Sequence, residues 1–113
     1  MRLSLLLLGA LLLAAPSAPP RVVTGTIHYV PARHGLTCAL FVVEDLDGHI
    51  VLTQQTALVL LEDWEITGPL GTYGTGAFAA GPRGTAGTAL RAHVDDFGLA
   101  ASESAALIRE GCY

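Results

Sequence analysis

The sequence predicts a small, mainly β domain of about five strands with a short C-terminal helix, closed by one disulfide. Three features of the 113-residue chain carry this expectation. Short runs rich in Val, Ile, Thr and aromatic residues alternate with Gly, Pro and Asp turns, the texture of strands. Residues 68–88 hold seven glycines and two prolines, a density that excludes helix over most of that stretch. The only two cysteines, Cys38 and Cys112, both lie beyond the apolar N-terminus, where an even pair in an exported chain reads as a disulfide.

Export is read from the first 18 residues. Arg2 supplies a positive start, Leu3 to Ala15 form a 13-residue stretch dominated by Leu and Ala, and Ala14, Ala15, Ser17 and Ala18 offer small side chains to a signal peptidase. Pro16, Pro19 and Pro20 end the run short of the about 20 apolar residues that a spanning helix needs. Residues 1–18 are therefore expected to be a cleaved signal, and residues 19–113 a single secreted or periplasmic domain with no stable membrane span. Without Arg2 the chain carries five arginines against ten carboxylates, and it has no Lys. That balance argues against nucleic acid or an anionic lipid surface as partner.

Val22 to Val30 has strand composition and is stopped by Pro31, and Gly25 within it suggests a bulge or bend. After a polar turn at Ala32 to Gly35, Cys38 to Val43 reads as a strand buried on two faces. Asp45-Leu46-Asp47-Gly48 supplies hairpin chemistry, and His49 to Thr53 returns as the partner strand. Ala57 to Leu61 is apolar, and periodicity leaves open whether it is a strand or a short helix.

Gly68-Pro-Leu-Gly-Thr-Tyr-Gly-Thr-Gly76 is echoed by Gly81-Pro-Arg-Gly-Thr-Ala-Gly-Thr-Ala89, with six of nine positions shared. Two similar Gly-Pro turns leading into strands, Thr72 to Ala79 and Thr88 to Val94, account for the echo; chance similarity in a Gly/Thr-rich segment is the competing account. Ser102 or Ser104 is placed to cap a short helix over Glu103 to Glu110, with Leu107 and Ile108 toward the barrel and Gly111 as terminator.

A glycine-broken first strand, a Cys-initiated second strand, an Asp-Gly hairpin and a Gly-rich later half resemble the small exported domains with an oligonucleotide/oligosaccharide-binding (OB) type barrel, over residues 22–94. The resemblance implies a ligand face on strands 2 and 3, at Leu40 to Val43 and His49 to Leu52. Those segments are too apolar and too poor in Arg for a nucleic-acid platform.

Gly74-Thr-Gly76-Ala-Phe-Ala79 matches a dinucleotide-loop string, but no strand-turn-helix context surrounds it. Glu44, Asp45 and Asp47, the group Glu62, Asp63 and Glu65, and the pair Asp95 and Asp96 offer oxygen ligands, yet the calcium-loop spacing is absent, since its twelfth position falls on Thr56. His28, His34, His49 and His93 show no zinc-ligand spacing, so a metal centre requires assembly across strands, and neither metal nor cofactor is expected. Ser102 and Ser104 with His93 and Asp95 or Asp96 offer triad residue types without a nucleophile elbow. Trp64, Tyr73 and Phe78 form a candidate patch for a protein, small-molecule or glycan ligand, while Trp64 also suits the role of main core filler. The reading is a non-catalytic binding or accessory module, with a Ca²⁺- or metal-stabilised structural module and a small extracytoplasmic hydrolase as alternatives.

Overall fold

The structure is a computed structural model that describes residues 20–112, so the expected signal over residues 1–18 lies outside the described residues. Six strands close into a barrel: β1 (Val23–Tyr29), β2 (Leu40–Asp45), β3 (Gly48–Gln54), β4 (Glu65–Gly68), β5 (Gly74–Gly81) and β6 (Thr88–Leu99). The order around it is β1-β2-β3-β6-β5-β4, with β4 returning to β1. Every pairing is antiparallel. The chain thus makes two three-stranded meanders, β1–β3 and β4–β6, joined by residues 55–64. The helix α1 (Ala101–Cys112) follows β6 and lies against the outside of β2 and β3. None of the described helices is long and apolar enough to cross a membrane.

Strand alternation divides the side chains between two apolar layers. On β2 and β3 the pairs Phe41–Leu52 and Val43–Ile50 point inward and join Ile27, Ile66, Leu70, Phe78, Leu90 and Val94 in the barrel core. The intervening pair Val42–Val51 points outward, where Ile108 and the flanking Leu107 of α1 cover it. Both faces of β2 are therefore buried, as its continuous apolar run requires. Trp64 is only partly buried at the core's edge, and Phe41, 1% exposed, is the largest fully enclosed side chain. The expectation that Trp64 fills the core is corrected accordingly.

The β2–β3 hairpin closes over Leu46 and Asp47, with the Asp45 carboxylate accepting from the Asp47 amide at 2.8 Å. Gly48 sits at φ 131°, and a Cβ there would meet the Leu99 carbonyl at 2.7 Å, so the turn demands glycine on two counts. The Gly-Pro echo is structural: the Pro69 carbonyl accepts from the Thr72 amide and the Pro82 carbonyl from the Thr85 amide, and the two turns lead into β5 and β6.

Several local expectations are corrected. The sixth strand is β4, whose four residues Glu-Ile-Thr-Gly are too few to show a period. Ala57 to Leu61 is neither strand nor helix; it crosses one end of the barrel, where Leu60 is 2% exposed and the Gln54 amide donates to the Thr56 and Leu58 carbonyls. The bulge in β1 falls at His28, between Ile27 opposite Val43 and Tyr29 opposite Val42. Gly25 instead permits close approach, since a Cβ there would lie 2.6 Å from Val43. α1 begins earlier and runs through Gly111 to Cys112, and its cap is the reverse of the one expected: Glu103 accepts from the Ala100 amide at 2.9 Å, while Ser104 is buried. Cys38 and Cys112 are bonded, their Cα atoms 5.3 Å apart, tying the end of α1 to the residues just before β2.

Candidate functional site

The outer face of the first meander brings together His28, Glu44 and His49, with one donor atom of each within 4.8 Å of the other two. Glu44 and His49 are directly opposed across the hairpin, one step beyond the covered Val42–Val51 pair and on the same face. His28 joins them because it is the extra residue of the β1 bulge. The bulge lets Ile27 and Val30 both enter the core while His28 and Tyr29 turn outward. Ring centroids of His28 and His49 are 4.8 Å apart, and Glu44 Oε2 lies 3.1 Å from His49 Nε2 and 4.0 Å from His28 Nδ1.

The first turn of α1 completes the arrangement. Ser104 Oγ donates to the Ala101 carbonyl at 3.0 Å and lies 2.7 Å from His49 Nδ1. His49 is thus held at both ring nitrogens, by Ser104 Oγ at Nδ1 and by the Glu44 carboxylate 3.1 Å from Nε2, where a protonated Nε2 donates to the carboxylate. The His49 side chain is 9% exposed, whereas those of His28 and Glu44 are more than half exposed, so the cluster is anchored at one donor and adjustable at two.

Next to the cluster, a groove of about 260 Å³ runs between the strands and α1. His28, Tyr29, Val42 and His49 form one wall; Ala101, Ser104, Ala105, Ile108 and Arg109, one face of the helix, form the other. The strand 2 and 3 face that the barrel resemblance singles out is thus covered in its middle by the helix and open beside His49.

The remaining sequence candidates do not gather in the same way. Phe78 is inside the barrel. Trp64 precedes β4 at the end where Glu65 pairs with Gly81, while Tyr73 precedes β5 at the opposite end, where Gly74 pairs with Val94. Tyr73 is 65% exposed and packs on Phe97 with centroids 4.6 Å apart. His34 binds Glu62 at 2.8 Å, and His93 lies 3.2 Å from Thr75 Oγ1 and 3.9 Å from Asp95. His93 therefore keeps company with Thr75 and Asp95, and Ser104 is held by His49. Glu65 accepts from the Gly84 amide, and among the described residues the acidic turns make no three-ligand group with one another. Gly74 to Ala79 is strand β5, which leaves no phosphate-cradling turn there.

Sequence reasoning passed over Ser104 as a partner of His49 and did not join His28, Glu44 and His49. One signal was present: an accepted two-residue hairpin over Leu46 and Asp47 makes Glu44 and His49 opposite neighbours by counting outward from the turn.

Tyr73 donates to Asp96 Oδ1 at 3.1 Å, and this hydrogen bond, followed by the carboxylate's charge, holds the phenol above its ordinary pKa. Because the folded state favours the protonated phenol, the associated stability is present below the ordinary tyrosine pKa and is lost as pH rises through the folded one. Asp96→Asn is expected to return one tyrosine toward ordinary titration, read as phenolate absorbance; unchanged titration would mean that the contact does not persist in solution. No family model, curated protein or solved structure matches this chain.

Proposed function

We propose that the protein is an exported, non-catalytic binding module that takes a small ligand in the groove between α1 and the outer face of β1–β3. The observation that carries this reading is the groove itself, with Val42, Ala105 and Ile108 as apolar wall and His28, Tyr29, His49 and Arg109 as polar groups converging on it. Apolar walls with a few placed polar groups are the usual make-up of a ligand pocket, and at about 260 Å³ this one falls just below the usual size range. The cationic Arg109 and the imidazoles favour a compact ligand with an acidic end. Export is supported by the Arg2 and Leu/Ala leader and by the disulfide, which belongs to an oxidising compartment. The OB-type resemblance places ligands on strands 2 and 3 and is compatible with this face.

Amide NMR of the oxidised protein against small carboxylic acids and short glycans tests the reading. Ligands are expected to shift Tyr29, Val42, Ser104 and Ile108. Ala105→Trp, a change at an exposed helix position in the groove wall, is expected to reduce affinity by 10-fold or more, on the order of 1.4 kcal/mol. Shifts centred on Tyr73 and Phe97, or binding indifferent to Ala105→Trp, would overturn it.

A second reading, a small serine hydrolase, is favoured by the unbroken chain Ser104–His49–Glu44. Against it, Ser104 is 3% exposed, buried under the first turn of α1, which leaves its hydroxyl no access to a substrate. Covalent labelling of Ser104 by a fluorophosphonate would select the hydrolase; an unlabelled serine leaves the binding module.

A further inference from the structure

We propose that His28, Glu44 and His49 form a binding site for a divalent transition-metal ion, with Zn²⁺ the best chemical match. One donor atom from each lies within 4.8 Å of the other two. Two imidazoles and a carboxylate are a donor set that Zn²⁺ takes while keeping a fourth position open, whereas Ca²⁺ and Mg²⁺ favour oxygen cages. The site does not depend on the groove taking an organic ligand, because the three donors face one another directly.

Three features suit a cation there. The first is the spacing of His49 Nε2 and Glu44 Oε2, which lie 3.1 Å apart and pass from a mutual hydrogen bond to shared coordination when a metal ion replaces the proton between them. Donors about 2.0 to 2.2 Å from a tetrahedral Zn²⁺ lie roughly 3.3 to 3.5 Å apart, so this pair is already near the required spacing. His28 Nδ1, at 4.0 Å from the same oxygen, reaches it by a modest side-chain rotation that its exposure permits.

The second feature is the support behind His49. Ser104 Oγ meets Nδ1 at 2.7 Å and is itself fixed by the Ala101 carbonyl, which orients the ring with Nε2 toward Glu44; with a metal ion on Nε2, Nδ1–H donates to Oγ. Metal-bound histidines are held in this way, by a partner on the other ring nitrogen. The third is the bulge, which spends an extra residue of β1 to bring His28 to the outer face, beside the other two. His34 and His93 each face one carboxylate and, among the described residues, join no three-ligand group, which makes them suitable controls.

Calorimetric titration of the full-length oxidised protein with ZnCl₂ tests the site, with Co²⁺ absorbance as a spectroscopic check and no organic ligand present. One equivalent is expected to bind, and Co²⁺ to give the intense visible bands of a tetrahedral site. Ser104→Ala is expected to weaken binding roughly 10- to 100-fold. His28→Ala and Glu44→Gln should weaken it further; both side chains are more than half exposed, so the fold is retained and far-UV dichroism verifies this. His93→Ala should bind as the parent does. Absence of binding, binding that survives in His28→Ala, or loss in His93→Ala would each overturn the site. None of these results bears on whether the groove takes a carboxylic acid or glycan, so the two proposals fail separately.

Discussion

Reduction of the Cys38–Cys112 bond, or its removal by Cys38→Ser with Cys112→Ser, is expected to lower stability by about 4.5 kcal/mol in the chain-entropy picture. The bond spans 74 positions, so it withholds a large loop from the unfolded ensemble. Its local consequence is as large. A 12-residue helix is marginal on its own in water, and α1 is held by Ile108 and Leu107 on the Val42–Val51 pair and by the bond at its last residue. Loss of the bond therefore releases α1 first, exposing the outer face of β2 and β3 and taking Ser104 away from His49. Urea titration with and without reductant measures the total, and limited proteolysis locates the first opening. A midpoint unmoved by reduction would mean that packing alone holds the helix.

Phe41→Ala is expected to cost about 3 to 5 kcal/mol, because its ring is 1% exposed and no neighbour in a closed barrel can collapse into the space it leaves. Phe41 opposes Leu52 on the inner face of the same hairpin whose outer face carries Glu44 and His49. The variant thus separates the two layers: a folded remnant should lose stability without change in the partners of His49. Chemical denaturation gives the magnitude; a cost under about 1.5 kcal/mol, the range of volume-conserving core changes, would place the ring outside the core.

The hairpin was legible because its signals are local: Asp45 and Gly48 set the turn, and the apolar runs on either side set the strands. The mainly β texture followed from composition and turn residues, the disulfide from the even pair of cysteines, and the barrel from the OB-type resemblance. β4 escaped because Glu65 to Gly68 is defined by its neighbours, β1 and β5, rather than by any pattern of its own. Ala57 to Leu61 was ambiguous because the Leu60 side chain is buried while the Leu58 carbonyl accepts from the Gln54 side chain, a solution that no periodicity encodes.

The candidate site was largely illegible for a related reason. His28, Glu44, His49 and Ser104 come from three strands and a helix, and their meeting requires the β1 bulge and the packing of α1. Gly25 drew attention as the irregular residue of β1, but the bulge depends on Ile27 and Val30 both seeking the core, which only the closed barrel reveals. A Ser near a helix start usually caps it, which masks any other role for Ser104; here Glu103 reaches back to Ala100 and leaves the serine to His49.

If the β1 bulge, the β2–β3 hairpin and the first turn of α1 together build a metal-binding face, Zn²⁺ perturbs that face alone. Amide NMR of the oxidised full-length protein during addition of Zn²⁺ tests it most directly. Shifts confined to His28, Tyr29, Glu44, His49 and the Ala101–Ala105 turn are the predicted result; shifts centred on His34 and Glu62 or on Thr75, His93 and Asp95, or none at all, would contradict it.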